Sequence, residues 1–380
     1  MKKIILLSYS LLAFSLIKCS SNEITSNETS DELTISNHLN NEGTTTSQTG
    51  NIAITSNCSP LNDILFDTRV NNTPKEVNRN AFGMKSWKIV NSLSDEFNYP
   101  GGKSSPEYNQ KWKPGFVNSY TGPLPTVWTG EQVTFETIYG SNRALVLSAK
   151  ENGVGNNRTL ACGMITSRGK SSYPLFQEAK VKISSSQLAN AVWMLSDDPG
   201  TTEEIDNLEA YGPRLLPDGT ECANPYFADR IHLSHHTFAN IGGERKDYQP
   251  KIQTWMSRKK TTNDCTREND VVWSEDYHYF GVKWVSPTRL DYFVDGKLVK
   301  TVNGLRIEDG IDPRSYTKCG DGLTREMHMI ISQASQVWRY GGAENFWNSS
   351  DIKTGDNTKM KIDWIRVYSP TGDENRRSCD

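Results

Sequence analysis

Arg289-Leu-Asp-Tyr-Phe-Val294 runs through Asp295-Gly296 into Lys297-Leu-Val-Lys-Thr301. Two alternating segments rich in β-branched and aromatic residues, joined by Asp-Gly, spell a hairpin, because Asp-Gly tolerates the two positive φ angles of a tight turn. The same pattern extends in both directions. Ala144-Leu-Val-Leu-Ser-Ala149, Gln177-Glu-Ala-Lys-Val-Lys-Ile183 and Ala191-Val-Trp-Met-Leu195 read as strands, and Lys359-Met-Lys-Ile-Asp-Trp-Ile-Arg-Val-Tyr368 as a last one, stopped by Pro370. No long helical periodicity and no internal repeat interrupts them. Many strands without alternating helices predict an all-β fold, a β-sandwich whose curvature opens a groove on one face, which suits a polymer.

The chain has 380 residues and a formal net charge of −3. A nucleic-acid binder would carry a basic excess. The only long apolar run lies at the extreme N-terminus, which excludes a polytopic membrane protein. Ten Trp, fifteen Tyr and twelve Phe in a chain only 35% hydrophobic point to many strands or to a surface that stacks on flat ligands.

Lys2 and Lys3 precede the mostly apolar run Ile4–Ile17, and Cys19 follows Lys18. A short positive region before such a run is a secretory signal rather than a spanning helix. A Cys closing it resembles a bacterial lipobox, in which the Cys is acylated, although Lys18 stands where a small residue is usual. The alternative is simple secretion with cleavage nearby. Residues 20–57 are rich in Ser, Thr and Asn, with no Lys, Arg or aromatic residue. They cannot bury a core and read as a disordered tether. Residues 1–19 are thus expected as the signal, with Cys19 as the lipidation site, and 58–380 as a single domain. Membrane contact is expected only through the lipid anchor.

Six further cysteines, Cys58, Cys162, Cys222, Cys265, Cys319 and Cys379, make an even number compatible with disulfides in an exported chain. Sequence does not choose among their 15 pairings. Cys58 and Cys379 bracket the domain and could pair if its ends meet. No C-x-x-C pair suggests zinc or redox chemistry.

Chemistry concentrates in Glu203-Glu204-Ile205-Asp206-Asn207-Leu208-Glu209. On a strand Glu204 and Asp206 share a face. Glu209, three residues beyond Asp206, rejoins them only if a β-bulge near Asn207-Leu208 adds a residue. Two of the three could then flank a sugar bond as nucleophile and acid/base. Crowding would raise the proton affinity of at least one. The competing readings are a solvated acidic turn and a calcium site.

Glu204-Ile-Asp-Asn-Leu-Glu209 resembles the bulged E-x-D-x-x-E signature of glycoside hydrolase family 16. Further likeness lies in Leu93-Ser-Asp-Glu-Phe97, Lys111-Trp112, Cys162-Gly-Met-Ile-Thr-Ser167, Tyr173-Pro-Leu-Phe-Gln-Glu-Ala179, Ala191-Val-Trp-Met-Leu195, Tyr279-Phe-Gly-Val-Lys-Trp284 and Ile362-Asp-Trp-Ile-Arg-Val-Tyr368. The resemblance covers roughly residues 80–370. The resemblance implies a curved, concanavalin-like jelly roll with an open cleft that cleaves β-linked polysaccharides with retention.

Within the family, Ile231-His-Leu-Ser-His-His-Thr-Phe238, Asp247-Tyr-Gln-Pro250, Ile311-Asp-Pro-Arg-Ser-Tyr316, Gly322-Leu323 and Gln336-Val-Trp-Arg339 are similar to the β-agarases and their porphyran-cleaving relatives. This likeness implies Glu204 as nucleophile, Glu209 as acid/base and Asp206 as the residue that orients the pair. It implies Trp193 as a sugar platform, His236 as a hydrogen-bonding partner, and Trp338 and Arg339 as further substrate contacts. Trp128, in a loop-like stretch, is either another platform or core. His235 and His236 should point to opposite faces of one strand. His328 reads as a satisfied sheet residue, and Trp284 and Trp364 as core.

Two positions depart from the agarase pattern. Ala334 stands where an acid is usual and Asn240 where Arg is usual. Losing both opens space and removes one negative charge along with one positive one, so the cleft is expected to tolerate sulfated or methylated units, unless other residues supply the contacts. The expected protein is an exported, monomeric endo-hydrolase of β-1,4 bonds in agar-type galactans, with no required cofactor and a structural calcium compatible with the family. The alternatives are a porphyran- or carrageenan-type hydrolase and, from another class, a non-catalytic carbohydrate-binding surface protein.

Overall fold

A computed structural model describes residues 87–370 apart from 199, 229, 252–254, 258–271 and 353–354. The expected signal, the lipidation site Cys19, the tether, and Cys58, Cys265 and Cys379 lie outside the described residues.

In chain order the strands are β1 (Trp87–Ile89), β2 (Trp112–Pro114), β3 (Thr126–Thr129), β4 (Val133–Tyr139), β5 (Asn142–Leu147) and β6 (Ala149–Asn152). Next come β7 (Thr159–Ser171), β8 (Leu175–Lys182), β9 (Ala189–Leu195), β10 (Thr201–Ala210), β11 (Arg230–Ile241) and β12 (Glu244–Tyr248). The last are β13 (Trp255–Ser257), β14 (His278–Ser286), β15 (Arg289–Val294), β16 (Lys297–Asn303), β17 (Met327–Ala334) and β18 (Met360–Pro370). One sheet runs β16-β15-β14-β8-β18-β5-β4, with β1 on β18; the other runs β12-β11-β10-β9-β17-β7-β2, with β13 on β11 and β3 and β6 on β7. Helices are short, such as Pro106–Lys111 and Ala343–Asn348. The architecture is the all-β sandwich that the alternating pattern predicts.

The hairpin that set the reading forms as β15–β16, with Val294 opposite Lys297. Asp295 and Gly296 sit at φ 49° and 77°, the positive pair that a two-residue primed turn requires. One expectation fails: Trp128 is not in a loop. It belongs to β3, which lies parallel to β7, a pairing with no local signature because its partner is distant in sequence.

The core lies between the sheets. Val192 and Met194 of β9, Ile205 and Leu208 of β10, Ile231 and Leu233 of β11 and Ile331 of β17 meet Ala179 and Val181 of β8, Phe280, Val282 and Trp284 of β14, and Ile365 and Val367 of β18. At about 25 cal/mol per Å² of apolar surface removed from water, this layer holds the sandwich together. Residues alternating with it on β9, β10, β11 and β17 face outward and line one broad surface. Trp284 and Trp364 are both buried, as expected.

The cysteines fall into two groups. Cys162 and Cys222 are free and buried, whereas Cys319 is disulfide-bonded. An even count therefore did not mean that every thiol was paired. Cys162 is packed into the sheet, where burial pushes its thiol up to about 12.

Candidate active site

The register of β10 shifts between Asp206 and Glu209 against β11, and between Asp206 and Leu208 against β9. This is the bulge the acidic spacing calls for. Leu208 enters the core, and Asn207 also turns inward, where its Oδ1 accepts a hydrogen bond from Gln177 Nε2 of the facing sheet at 3.3 Å. Two consecutive inward side chains restore outward parity, so Glu204, Asp206 and Glu209 share the outer surface. Their side chains keep 16%, 10% and 26% exposure there, enough for a ligand to reach all three.

Cross-strand neighbours complete the stripe. Glu204 faces His236, Asp206 faces Ser234 and Trp193, and Glu209 faces His232. His236 Nε2 lies 3.7 Å from Asp206 and 3.9 Å from Glu204, while its Nδ1 is 3.0 Å from Asp247 Oδ1. His235 points the other way, fully buried, with Nε2 3.1 Å from the Gly310 carbonyl. His328 sits in β17 with Nδ1 2.8 Å from the Ser167 carbonyl, satisfied within the sheet.

Burial, then the charges of Asp247 and Glu209, push Glu204 up to about 8, with Arg245 opposing. Burial and the Glu204 charge also raise Asp206, well above the usual carboxylate range. A hydrogen bond from Asp206 acts the other way and lowers Glu204. Glu209 behaves oppositely. Burial raises its proton affinity, but His232 and Tyr211 outweigh burial and hold it low. His236 is raised: burial acts against its charge, but the bond and charge of Asp247 and the charge of Asp206 prevail.

Trp193 lies on this surface but is only 9% exposed. Its Nε1 donates to Ser332 Oγ at 3.1 Å. Phe116 stacks on it at 5.9 Å and on Trp128 at 5.3 Å. The aromatic floor is thus a tier of three rings, and Phe116, on an irregular stretch, gave no sequence signal. Trp128 Nε1 donates to the Gln333 carbonyl at 2.8 Å. Trp338, 40% exposed, packs edge-on against Phe227 and Tyr211; Tyr211 in turn donates to Glu209. Trp338 therefore extends the surface beyond Glu209.

Arg339 needs correcting as a substrate contact. It is fully buried, with Nη1 3.2 Å from Gln187 Oε1 and Nη2 3.2 Å from Cys222 Sγ. It props the wall from behind. Ala334, opposite Ala189, joins an apolar cluster with Tyr211, Trp128 and Phe227.

Glu204, Asp206 and His236 could each offer a ligand atom to a metal, all within 4.8 Å of one another. An imidazole suits a hard, oxygen-seeking calcium poorly. The trio coincides with the acidic stripe, so it supplies no separate donor set for a structural calcium.

A family model described as "Beta-porphyranase A-D, GH16 domain" matches residues 87–370. The chain is 38% identical to a β-agarase of Phocaeicola plebeius over 300 residues, covering 76% of this chain and 86% of that protein. It is 36% identical to β-agarase AgaA of Microbulbifer thermotolerans, covering 75% of this chain but 59% of that protein. The solved β-agarase B of Zobellia galactanivorans superposes with a TM-score of 0.61 at 32% identity, over 76% of this chain and 95% of that one. The match runs through both sheets, the bulged acidic strand β10 included: this chain belongs to glycoside hydrolase family 16 and is a glycoside hydrolase.

Proposed function

We propose that the protein is an endo-acting, retaining hydrolase of β-1,4-galactosidic bonds in agar-type red-algal galactans. The observation that carries this is the bulge at Asn207–Leu208, which sets Glu204, Asp206 and Glu209 on one open face beside an aromatic floor. Relatives named β-agarases at 30–38% identity support the substrate class.

In this reading Glu204 attacks the anomeric carbon while Glu209 gives its proton to the leaving oxygen; Glu209 then takes a proton from the water that releases the glycosyl-enzyme. Asp206, hydrogen-bonded to Glu204, orients and steadies it. Glu209 needs a proton for the first step. His232, hydrogen-bonded to it at 2.8 Å, can deliver one, and a sugar covering the exposed quarter of Glu209 adds the desolvation that retains it. The phenyl and indole rings of Phe116, Trp193 and Trp128 offer stacking surface to a sugar ring. Ala334 and Asn240 leave room for sulfated or methylated units. The N-terminal pattern supports export and anchoring through Cys19, with the domain acting as a monomer.

A porphyran-cleaving reading is favoured by the description of the matching family model. Incubation with agarose, porphyran and κ-carrageenan, followed by product sizing and NMR of the newly formed anomer, tests all of this. A ladder of β-configured products from agarose is expected. Turnover of porphyran alone would shift the assignment, inverted products would remove the covalent step, and binding without turnover would mark a carbohydrate-binding protein.

A further inference from the structure

The β12 edge of the active surface carries a cation with no ion-pair partner among the described residues. Arg245 lies directly across the ladder from Asn240, and Asp247 across from Phe238. On the same face Phe238 and Glu204 face Thr202 and His236 respectively, which places Arg245 beyond Glu204, away from Glu209. The guanidinium carbon is 4.1 Å from the centre of the Phe238 ring, and the His236 imidazole stacks on that ring at 5.3 Å with 9° between planes. Phe238 is 4% exposed although it faces outward, because these two groups cover it.

Arg245 makes no hydrogen bond and no ion pair with any described residue. Its neighbour Lys246, by contrast, is tied to Glu244. Burial lowers the proton affinity of Arg245, and the charges of Glu204 and Asp247 support its cationic form from longer range. A half-buried cation has lost water that nothing within ion-pair distance replaces, an arrangement that costs stability unless a ligand supplies the anion. With one face on an aromatic ring, the guanidinium keeps its N–H fork at the edge, matched to a pair of oxygens on a tetrahedral oxyanion. A neutral sugar hydroxyl would need only a dipole at this place.

We propose that Arg245 binds the sulfate ester of a decorated galactan unit along the β12 edge of the cleft and so sets the preference between sulfated and neutral chains. The inference rests on the galactan reading above and names a residue for its specificity. A hydrogen-bonded ion pair of this kind is worth about tenfold in rate or binding.

The test compares kcat/KM on neutral agaro-oligosaccharides and on sulfated porphyran oligosaccharides for the wild type, Arg245→Ala and Arg245→Lys, at low and high salt. The ratio of sulfated to neutral turnover should fall about tenfold in Arg245→Ala and less in Arg245→Lys, which keeps charge but loses the fork. Added salt should lower the wild-type ratio and leave the Ala variant's ratio unmoved. A ratio unchanged by substitution overturns the proposal. So does an equal loss on both substrates, which would mean that Arg245 acts only through the charge of Glu204. A wild type inactive on every galactan removes the galactan reading itself and is a different result from an active wild type with an unaltered ratio.

Discussion

His232 and Glu209 face each other across the β10–β11 ladder, with Nδ1 of the first 2.8 Å from Oε2 of the second. Tyr211 donates its hydroxyl to the other oxygen of Glu209. Burial alone would raise Glu209, but these two partners keep it low. If Glu209 must be protonated to act, activity falls as pH rises through its pKa. Tyr211→Phe removes one donor and raises that pKa, so the alkaline limb of the kcat/KM profile should move up by about 0.5–1 pH unit. A limb that stays put or moves down would exclude Glu209 as the acid.

Glu204→Gln and Glu209→Gln should each reduce turnover by at least about 10³-fold while oligosaccharide binding survives. Glu204 is pushed up to about 8 by burial and neighbouring acids, so its neutral replacement should leave the melting temperature at pH 8.5 unchanged or raise it. Calorimetry beside product sizing checks both. Full activity in either variant would remove that residue from the chemistry.

Arg339 is buried against Gln187 and Cys222, so Arg339→Ala should cost about 2–4 kcal/mol of stability. The rate per folded molecule at low temperature should change by less than about twofold. Urea unfolding and active-site-normalised rates separate the two effects. A hundredfold rate loss at unchanged stability would return Arg339 to the substrate.

Glu178 is buried in the opposite sheet, where burial pushes it up to about 8 while Arg366 opposes. The native state therefore keeps a proton that the unfolded chain releases near the ordinary glutamate value of 4.5. Stability from this group is complete below that value and is lost as pH rises toward 8. Glu178→Gln should remove about 1–3 kcal/mol of that decline. The stability difference between variant and wild type, measured at pH 5 and pH 8, should grow in the variant's favour; an equal difference at both sinks the assignment.

Much of this was legible in the sequence because it depends on near neighbours. Asp295-Gly296 specifies its own turn, and the three-residue step from Asp206 to Glu209 demands an inserted residue. What stayed illegible depends on distant pairing. The His232–Glu209 contact exists only once the β10–β11 register is known. β3 is a strand because β7 lies beside it. Arg339 sits in a motif whose letters carry no statement of burial, and the cysteine count carried none of which thiols pair. Phe116 lies on irregular backbone with no periodicity to mark it.

The bulge at Asn207–Leu208 also makes residue number matter as much as residue type. Between Asp206 and Glu209 the chain can exchange one inward-facing side chain for another. Adding one more residue to the bulge would turn Glu209 toward the core, whereas losing one would leave a regular strand in which Asp206 and Glu209 still share a face. Variation through this segment should therefore proceed by substitution or by loss of the bulged residue, and an insertion of one there would mark a descendant that binds without cutting.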